Sequence, residues 1–405
     1  MASDDMITGR DIVVVGQQAW DIEIGSNNKN IALEMSKHNR VLYVNPALDR
    51  NTMINDKDNP KVIKRLAVIN GREKGIVALQ NNLWNLYPDR LVESINWLKI
   101  RPLFNILNKR NNRKFAQSIS EAMAELGFKD IILFNDSDMF RSFYLKELLK
   151  PAISIYYSRD YMLGVDYWKF HGEQLEPALI AKSDICMANS TYLADYCRRY
   201  NPNSYYVGQG CDLTIFTDVA ADLLPADVTV LKKPVIGYVG ALQKIRLDME
   251  LLAFIAEQRP QWNIVLVGPE DDDFKKSRLH GISNVHFLGP KPPGQLPQYI
   301  QSFDVCLNPQ VLNQVTVGNY PRKIDEYLAM GKPVVATVTE AMGIFAGHTY
   351  QAVTKQDYVN LIELAIREDN PALQADRKAF ASSHTWTNNV GEMYKAINQY
   401  EIHKK

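Results

Sequence analysis

The stretch NYPRKIDEYLAMGKPVVAT, residues 319–337, decides the fold class of this 405-residue chain. Pro321 suits the start of a helix, and the sequence predicts one over Lys323–Met330. The run 333–336 predicts a β-strand, because a short apolar run without polar alternation is typical of a strand covered on both faces. A helix followed at once by a buried strand is the repeating step of an α/β domain.

The same alternation continues outward from this stretch in both directions. Around it lie short apolar runs that predict strands, separated by helix-length segments such as 248–257. Two such series in one chain predict an α/β protein of two Rossmann-like domains that face each other across a cleft. The predicted strands are 11–16, 41–44, 130–134, 153–157, 185–188 and 205–207 in the first half, and 234–239, 263–267, 285–288 and 305–307 in the second.

The domain boundaries follow from where the alternation stops. Residues 217–233 lack periodicity and end before Pro234, so we predict that they form a linker between a first domain at 1–216 and a second at 234–385. A last helical segment, about 386–405, is expected to pack back on the first domain. Ligands of open α/β sheets bind beyond the carboxyl ends of the strands, so the loops at those ends are the candidate site.

Composition excludes several classes of protein. The chain is 46% hydrophobic and 23% charged, which is typical of a soluble globular protein and excludes a disordered or fibrous one. Its 46 basic and 46 acidic residues leave no basic excess, so we expect no nucleic-acid partner. We find no apolar run long enough to span a membrane and no secretory signal. Four widely spaced cysteines indicate reduced thiols, and we therefore expect a cytoplasmic protein.

The segment 319–337 resembles the nucleotide-sugar signature of the retaining glycosyltransferases of family 4, which have the GT-B fold. Other segments fall in that family's order, and the subgroup that the chain most resembles is that of teichuronic-acid and other polysaccharide glycosyltransferases. These segments are 182–190, 208–212, 236–240, 262–269, 284–289 and 302–309.

The resemblance implies an enzyme that moves a hexosyl group from a UDP- or GDP-sugar to an acceptor hydroxyl. The acceptor would be a glycan or a lipid-linked precursor, in the synthesis of a surface polysaccharide or glycolipid of a bacterial cell envelope. It also implies a metal-independent mechanism without a cofactor. Two alternatives stay open, namely a nucleotide-sugar epimerase of the same fold and a catalytically degenerate protein that binds sugar nucleotides.

Glu326 is the first candidate for donor binding. A carboxylate early in a helix can accept hydrogen bonds from two vicinal ribose hydroxyls, and the resemblance assigns Glu326 that role. The alternative is an acidic residue that stabilises the helix dipole, worth about 0.3–1 kcal/mol.

The leaving diphosphate needs positive charge and N–H donors, because charge develops on its oxygens in the transition state. The candidates are Arg246, Arg322 and Lys323, with the backbone N–H groups from Thr316 through Gly318 to Asn319. For Arg246 the alternative is a solvated charge on a loop. The resemblance also implies donor contacts from the glycines that follow strands and from the base-binding strand, namely Gly240, Gly268, Phe287 and Gly289.

Two positions depart from the family pattern. Ala241 follows Gly240 where the family usually has an arginine, and Gly318 stands where many members have a glutamate that contacts the donor sugar. The identity of the sugar therefore stays open.

In the first domain, the loop after the first strand is expected to form the floor of the acceptor site. Its candidates are Gln17, Trp20, Asp21 and Ser26. Asp160 follows another strand and resembles the family residue that orients the acceptor hydroxyl, the alternative being a helix cap. The Asp-x-Asp of residues 136–138 is interpreted as a loop rather than a metal site, and no metal ligand is predicted.

Residues 95–115 combine apolar and basic side chains, with no acidic residue among them. Such an amphipathic stretch predicts peripheral contact with an anionic membrane, at the inner face. The alternative is an ordinary helix whose apolar side chains pack on the first domain.

Overall fold

A computed structural model describes residues 6–22, 26–314 and 316–404, and the chain divides into two compact α/β units. The first unit comprises the chain up to Gly210 together with Trp386 onward, and the second comprises Cys211–Thr385. Across the described ranges, no helix combines the length and the apolar composition that crossing a membrane requires.

The first domain contains an eight-stranded sheet in the order β3-β4-β2-β1-β5-β6-β7-β8. All neighbouring strands are parallel except β3, which pairs antiparallel with β4. Every residue of the central strand β1 is buried, as expected for a strand covered by helices on both faces. The strands are β1 (Asp11–Gly16), β2 (Arg40–Val44), β3 (Ile76–Gln80), β4 (Leu83–Leu86), β5 (Ile132–Asp136), β6 (Ile153–Ser158), β7 (Ile185–Ala188) and β8 (Ser204–Tyr206).

Most helices of the first domain follow a strand of this sheet. They are α1 (Asn27–Met35), α2 (Arg50–Asn55), α3 (Pro60–Ile69), α4 (Arg101–Leu126), α5 (Leu145–Leu149), α6 (Asp166–Lys182) and α7 (Thr191–Arg198). A further helix, Trp386–Lys404 near the end of the chain, packs against α1 and β7. Its Val390, Met393 and Tyr394 share one buried cluster with Ile12 and Val14 of β1, so this distant segment completes the first domain's core.

The second domain contains a six-stranded parallel sheet in the order β11-β10-β9-β12-β13-β14. Its central strand β9 has all five residues buried. Gly237 in this strand is required by packing, since a Cβ there would lie 2.1 Å from the Phe303 ring. The strands are β9 (Val235–Val239), β10 (Asn263–Val267), β11 (Val285–Gly289), β12 (Val305–Asn308), β13 (Val334–Thr337) and β14 (Tyr350–Ala352).

The helices that cover this sheet include α12, the helix predicted from residues 319–337. Ile324, Tyr327 and Leu328 of α12 are buried in a cluster with Phe303 and the β13 residue Val334. The helices are α8 (Ala226–Thr229), α9 (Met249–Gln258), α10 (Asp272–Lys275), α11 (Leu296–Ser302), α12 (Lys323–Ala329), α13 (Lys355–Glu368) and α14 (Pro371–Ser382), and the first-domain helix Trp386–Lys404 is α15.

The structure differs from the sequence-based prediction at the domain boundary and at one sheet edge. The predicted linker 217–233 lies inside the second unit. Phe216, just before it, and Val228, within it, are both buried in that unit's core. The hairpin β3–β4 was not predicted from the sequence. Its strand β3 lies at the sheet edge with mixed burial, so it lacks the continuous apolar run that marks the central strands.

Residues 95–115 consist of a loop followed by the first half of α4. Phe104 is fully buried and stacks on His171 with ring centroids 3.5 Å apart, while Leu98 and Leu107 pack against the same core cluster. These three apolar residues belong to the core, as the alternative interpretation predicted. Trp97, Ile100, Leu103 and Ile106 are instead exposed.

Glu176 of α6 makes stability depend on pH. Its carboxylate is buried, accepts hydrogen bonds from the hydroxyls of Tyr156 at 2.6 Å and Tyr196 at 3.2 Å, and burial raises its pKa to about 7. The folded state thus holds the proton more tightly than the unfolded state. We expect Glu176 to contribute stability that is complete below pH 4.5 and is lost as pH rises through 7, about 3 kcal/mol in all.

Glu176→Gln keeps a polar group between the two tyrosines and removes the titration. We expect its thermal midpoint to exceed that of the unaltered protein by on the order of 5 °C at pH 8 and to match it near pH 5, by scanning calorimetry. Glu173→Gln, an exposed residue on the same helix, serves as the control. Equal pH dependence in all three proteins would contradict the assignment.

Candidate functional site

Three glycines lie at the carboxyl ends of neighbouring strands of the second domain. Each has a positive φ, a backbone conformation that favours glycine. Gly240 follows β9 with φ +143°, Gly268 follows β10 with φ +152°, and Gly289 ends β11 with φ +67°. A Cβ on Gly268 would lie 1.9 Å from the Gly240 carbonyl oxygen, so only glycine fits there. The carboxyl edge of the sheet therefore presents close-packed backbone beside the switch point between β9 and β12.

Lys323, the first residue of α12, reaches this same edge. Its Nζ donates to the Tyr238 hydroxyl at 2.6 Å and lies 4.4 Å from the centre of that ring. A Cβ added at Gly240 would lie 3.0 Å from Nζ, which places the ammonium group directly beside the glycine turn. Two predicted donor-site residues are thus brought together, and Tyr238, which the sequence reasoning missed, holds the lysine in position.

Glu326 lies one turn further along α12. Its side chain is 19% exposed, and its nearest cation is Arg322, whose Nε lies 3.7 Å from Oε1. Burial raises the pKa of this carboxyl, and the charges of Arg322 and Lys323 oppose that shift. Within the described residues, the Glu326 carboxylate accepts no hydrogen bond, so its oxygens are available for hydroxyl donors of a ligand.

Arg246 lies on the loop after β9 and is exposed. Within the part of the chain that the structure describes, its guanidinium makes no ion pair or hydrogen bond. The loop is held beside the one that follows β12, because Val311 N–H donates to the Arg246 carbonyl at 3.0 Å and the Asn313 amide donates to the Ile245 carbonyl at 2.7 Å. The guanidinium is therefore free for an anion.

Thr316 differs from the expectation that its backbone N–H is available to the diphosphate. It is buried, its N–H donates to the Asn313 Oδ1 at 3.1 Å, and its hydroxyl bonds to the Val311 carbonyl. The Thr316 N–H is therefore occupied and does not serve as a phosphate donor in this structure. Asn319 N–H in turn makes a long bond of 3.4 Å to the Thr316 carbonyl.

Three buried polar atoms between the end of β12 and the start of α12 make no hydrogen bond within the described residues. They are Asn308 Nδ2, Gln310 Oε1 and Asn319 Oδ1. Such groups are costly unless a ligand or water satisfies them, so their occurrence in the segment that leads to the predicted donor residues of α12 favours a binding site there. The sequence reasoning identified Asn319 but missed Asn308 and Gln310.

Phe287, the residue expected near the nucleotide base, is half-buried on β11. Its ring stacks on His280 at 3.9 Å between centroids, and His280 in turn bonds to Glu270 at 2.8 Å. One face of the Phe287 ring is therefore covered by the protein itself.

Asp325 of α12 is a buried hydrogen-bonding residue that the sequence reasoning did not identify. It is fully buried on α12, where Oδ1 lies 2.6 Å from His384 Nδ1, and Oδ2 accepts from the Tyr320 hydroxyl at 2.8 Å and from the Cys211 thiol at 3.2 Å. Cys211 and His384 lie within two residues of the two points where the chain passes from one unit to the other. Through these contacts Asp325 connects both chain segments that lead from one unit to the other with the helix that contains Lys323 and Glu326.

In the first domain, Asp160 follows β6 and its side chain is 45% exposed. Arg159 Nη1 lies 3.6 Å from Asp160, while Arg159 Nε donates to the buried Asp136 at 2.8 Å. Burial raises the pKa of Asp136 to about 6 although the arginine opposes this. Arg159 therefore links the predicted acceptor-side carboxylate to a second one that the sequence reasoning did not assign.

The four residues that were predicted to form the floor of the acceptor site have different surroundings. Gln17 lines a cavity and donates to the Ser137 carbonyl at 2.8 Å. Ser26 is buried and caps α1 by accepting from Lys29 N–H, and Asp21 forms a two-pronged ion pair with Arg65 at 2.9 Å. Trp20 packs edge-on against Tyr43 at 5.1 Å. Only Gln17 lines that cavity, and the other three make contacts within the domain.

Both carboxylates of the Asp-x-Asp segment are bound by arginines. Asp136 accepts from Arg159, and Asp138 accepts from Arg141 Nε at 2.9 Å and from two backbone N–H groups. Among the residues that the structure describes, no group of three or more His, Cys, Asp or Glu is arranged to hold a metal ion.

Comparison with known proteins finds a family match in the second domain. Residues 233–367 match the family model described as Glycosyl transferases group 1. The chain is 33% identical over 105 residues to the Bacillus subtilis (strain 168) protein TuaH, whose name provisionally assigns it as a teichuronic acid biosynthesis glycosyltransferase. That match spans 25% of this chain and 26% of TuaH, about a quarter of each.

Solved structures show the fold of the whole chain. Sucrose-phosphate synthase (tll1590) from Thermosynechococcus elongatus aligns with a TM-score of 0.63 at 16% identity, over 98% of this chain and 100% of that one. Anabaena Alr3699/HepE in complex with UDP-glucose aligns with a TM-score of 0.61 at 15% identity, over 96% and 99% of the two chains. The chain therefore has the GT-B fold, and residues 233–367 of its second domain are similar to the group 1 glycosyl transferases.

Proposed function

We propose that this protein is a retaining glycosyltransferase that moves a hexosyl group from a UDP- or GDP-sugar to an acceptor hydroxyl. The observation that carries the proposal is the Glu326 carboxylate, which is largely buried on the signature helix and accepts no hydrogen bond among the described residues. The group 1 family match and the fold support a transferase. The complex of Alr3699/HepE with UDP-glucose supports a nucleotide-sugar donor for this fold.

We assign the proposed roles in donor binding from the charged side chains of the second domain. Glu326 accepts from the two ribose hydroxyls, while Arg246 and Lys323 stabilise the negative charge that develops on the departing diphosphate. Their two positive charges take the place that a divalent cation has in other phosphate sites, and we propose that the reaction needs no resident metal or other cofactor.

The proposed chemistry occurs on one face of the donor sugar. The bond from the anomeric carbon to the diphosphate oxygen breaks, and the bond to the acceptor oxygen forms on the same face. The proton of the acceptor hydroxyl passes to the departing phosphate oxygen. Asp160 orients that hydroxyl without taking its proton, and Arg159 holds Asp160.

The experiment is incubation with a panel of UDP- and GDP-sugars, with chromatography of the released nucleotide and of the sugar. We expect release of UDP or GDP with one donor, faster when a glycan acceptor is added. An epimerised sugar without nucleotide release would instead identify the epimerase alternative. Binding without turnover of any donor would identify a degenerate sugar-nucleotide binding protein.

We also propose that the acceptor belongs to surface polysaccharide or glycolipid synthesis and that the first domain contacts an anionic membrane. The name of TuaH supports the first part. The second part is supported by the exposed apolar residues Ile100, Leu103 and Ile106. They alternate with Lys99, which precedes α4, and with Arg101 and other basic residues of α4.

Liposome flotation tests the membrane contact. We expect binding to vesicles that contain anionic lipid at low salt, and a loss of at least tenfold when Ile100, Leu103 and Ile106 are all changed to serine, because apolar burial and charge act together. Leu223→Ser, an exposed apolar residue of the second domain, is the control. Equal flotation of the triple variant would contradict the contact.

A further inference from the structure

Two tyrosine hydroxyls join α12 to the end of β9. The pairing of β9 with β12 stops at Gly237, whose partner is Cys306. Beyond that point Val239 N–H donates to the Tyr327 hydroxyl at 2.8 Å, and the same hydroxyl donates to the Val239 carbonyl at 3.3 Å. A side chain of α12 thus supplies hydrogen bonds that β12 no longer provides, and it fixes the helix to the strand at the switch point.

Tyr238 of β9 supplies the second hydroxyl. Its side chain is buried, and a phenol has one hydrogen to donate and lone pairs with which to accept. The hydroxyl donates to the Ala241 carbonyl at 3.3 Å, and it accepts from Lys323 Nζ at 2.6 Å. Tyr238 therefore connects the first residue of α12 with the backbone of the turn that follows β9.

This pair of side chains lies directly against the turn at Gly240. A Cβ added to Gly240 would lie 2.9 Å from the Tyr238 hydroxyl oxygen and 3.0 Å from Lys323 Nζ. The next residue of the turn is Ala241, which is exposed and carries no charge. The positive charge beside Gly240 therefore comes from α12 and not from the turn itself.

The partner of Lys323 leaves its charge available to a ligand. A phenol is a neutral acceptor, and the ammonium forms no ion pair within the described residues, since Glu326 one turn further along pairs with Arg322. Lys244 of the loop after β9 is in contrast occupied by an aspartate. An ammonium has three donors, so Lys323 can bind Tyr238 and still donate to phosphate oxygens.

We infer that Tyr238 is a positioning residue of the donor site, whose hydroxyl holds the Lys323 ammonium at the Gly240 turn, ready for the diphosphate. A lysine side chain has many rotamers, and without the hydroxyl part of the binding free energy would be spent on ordering it. A charge that is fixed before the ligand arrives acts on the diphosphate without that cost. The inference rests on the proposed function, in which Lys323 stabilises the diphosphate, and it adds a residue that acts through this lysine.

Tyr238→Phe tests the inference, because it keeps the ring in the core and removes the hydroxyl. Calorimetric titration of the full chain with UDP and GDP measures diphosphate binding, and ligand-observed NMR with uridine and guanosine measures binding of the uncharged nucleosides. We expect the variant to bind the diphosphate that the unaltered protein prefers about tenfold more weakly, and the matching nucleoside within about twofold. Tyr299→Phe, a buried tyrosine of the same domain whose hydroxyl donates to Asp227 at 3.0 Å, should leave both affinities unaltered.

A double-mutant cycle separates positioning of the lysine from a general loss of structure. Lys323→Met should weaken the diphosphate at least about tenfold, and adding Tyr238→Phe to it should cost less than about twofold more, because the hydroxyl acts through the ammonium. The inference alone is overturned if Tyr238→Phe binds the diphosphate as tightly as the unaltered protein, if it weakens the nucleoside equally, or if its effect persists in full beside Lys323→Met. If the unaltered protein binds neither UDP nor GDP at millimolar concentration, the proposed function is overturned together with the inference.

Discussion

Replacing Asp325 with alanine is expected to destabilise the second domain by about 3–5 kcal/mol, because it leaves buried partners of an anion without their acceptor. His384, Tyr320 and Cys211 all direct polar atoms at this fully buried carboxylate. We expect a lower thermal midpoint by calorimetry. Hydrogen exchange should rise in the peptides around Cys211 and His384 before it rises in the sheet of the first domain.

The chain offers a matched control for Asp325. Asp376 also pairs with a histidine, His348 at 3.0 Å, but its side chain is 60% exposed. Asp376→Ala should change stability by no more than about 1 kcal/mol, since exposed pairs are screened by water. If the two alanine variants lost equal stability, the Asp325 network would not hold the chain crossings.

Replacing Glu326 with alanine is expected to weaken UDP or GDP binding on the order of 10²-fold. Two hydrogen bonds from ribose hydroxyls to a carboxylate would be lost, and bonds to charged groups contribute about 1.5–3 kcal/mol each. Isothermal titration calorimetry measures the change. Asp272→Asn, whose side chain is 88% exposed in the same domain, should leave the affinity unaltered.

A change in the ligand separates the ribose role from a general loss of structure. The unaltered protein should bind 2′-deoxy-UDP about tenfold more weakly than UDP, whereas Glu326→Ala should bind both alike, because the partner of the missing hydroxyl is gone. An equal penalty for the deoxy ligand in both proteins would refute the assignment of Glu326 to the ribose.

The central strands and their order of succession could be predicted from the sequence. Strands such as β1, β9 and β10 are buried on both faces, so each appears as an uninterrupted apolar run whatever its neighbours are. The helix with Lys323 and Glu326 could be predicted for a similar reason, because its signature is continuous in the chain. Edge strands such as β3 could not, since their burial is incomplete and their pattern is weak.

Polar partnerships could not be predicted, because they join residues far apart in the chain. Asp325 meets His384 across 59 positions and Cys211 across 114, and Lys323 meets Tyr238 across 85. The same holds for Thr316, whose N–H was expected to be free and is bound by Asn313 through the local fold of its loop. The sequence by itself determined two α/β domains and the residue types of a donor site, because apolar runs and local motifs act over short distances. Only the tertiary structure decided which of those side chains form hydrogen bonds within the protein and which remain available to a ligand. The reason is that a hydrogen bond depends on where folding brings its second atom.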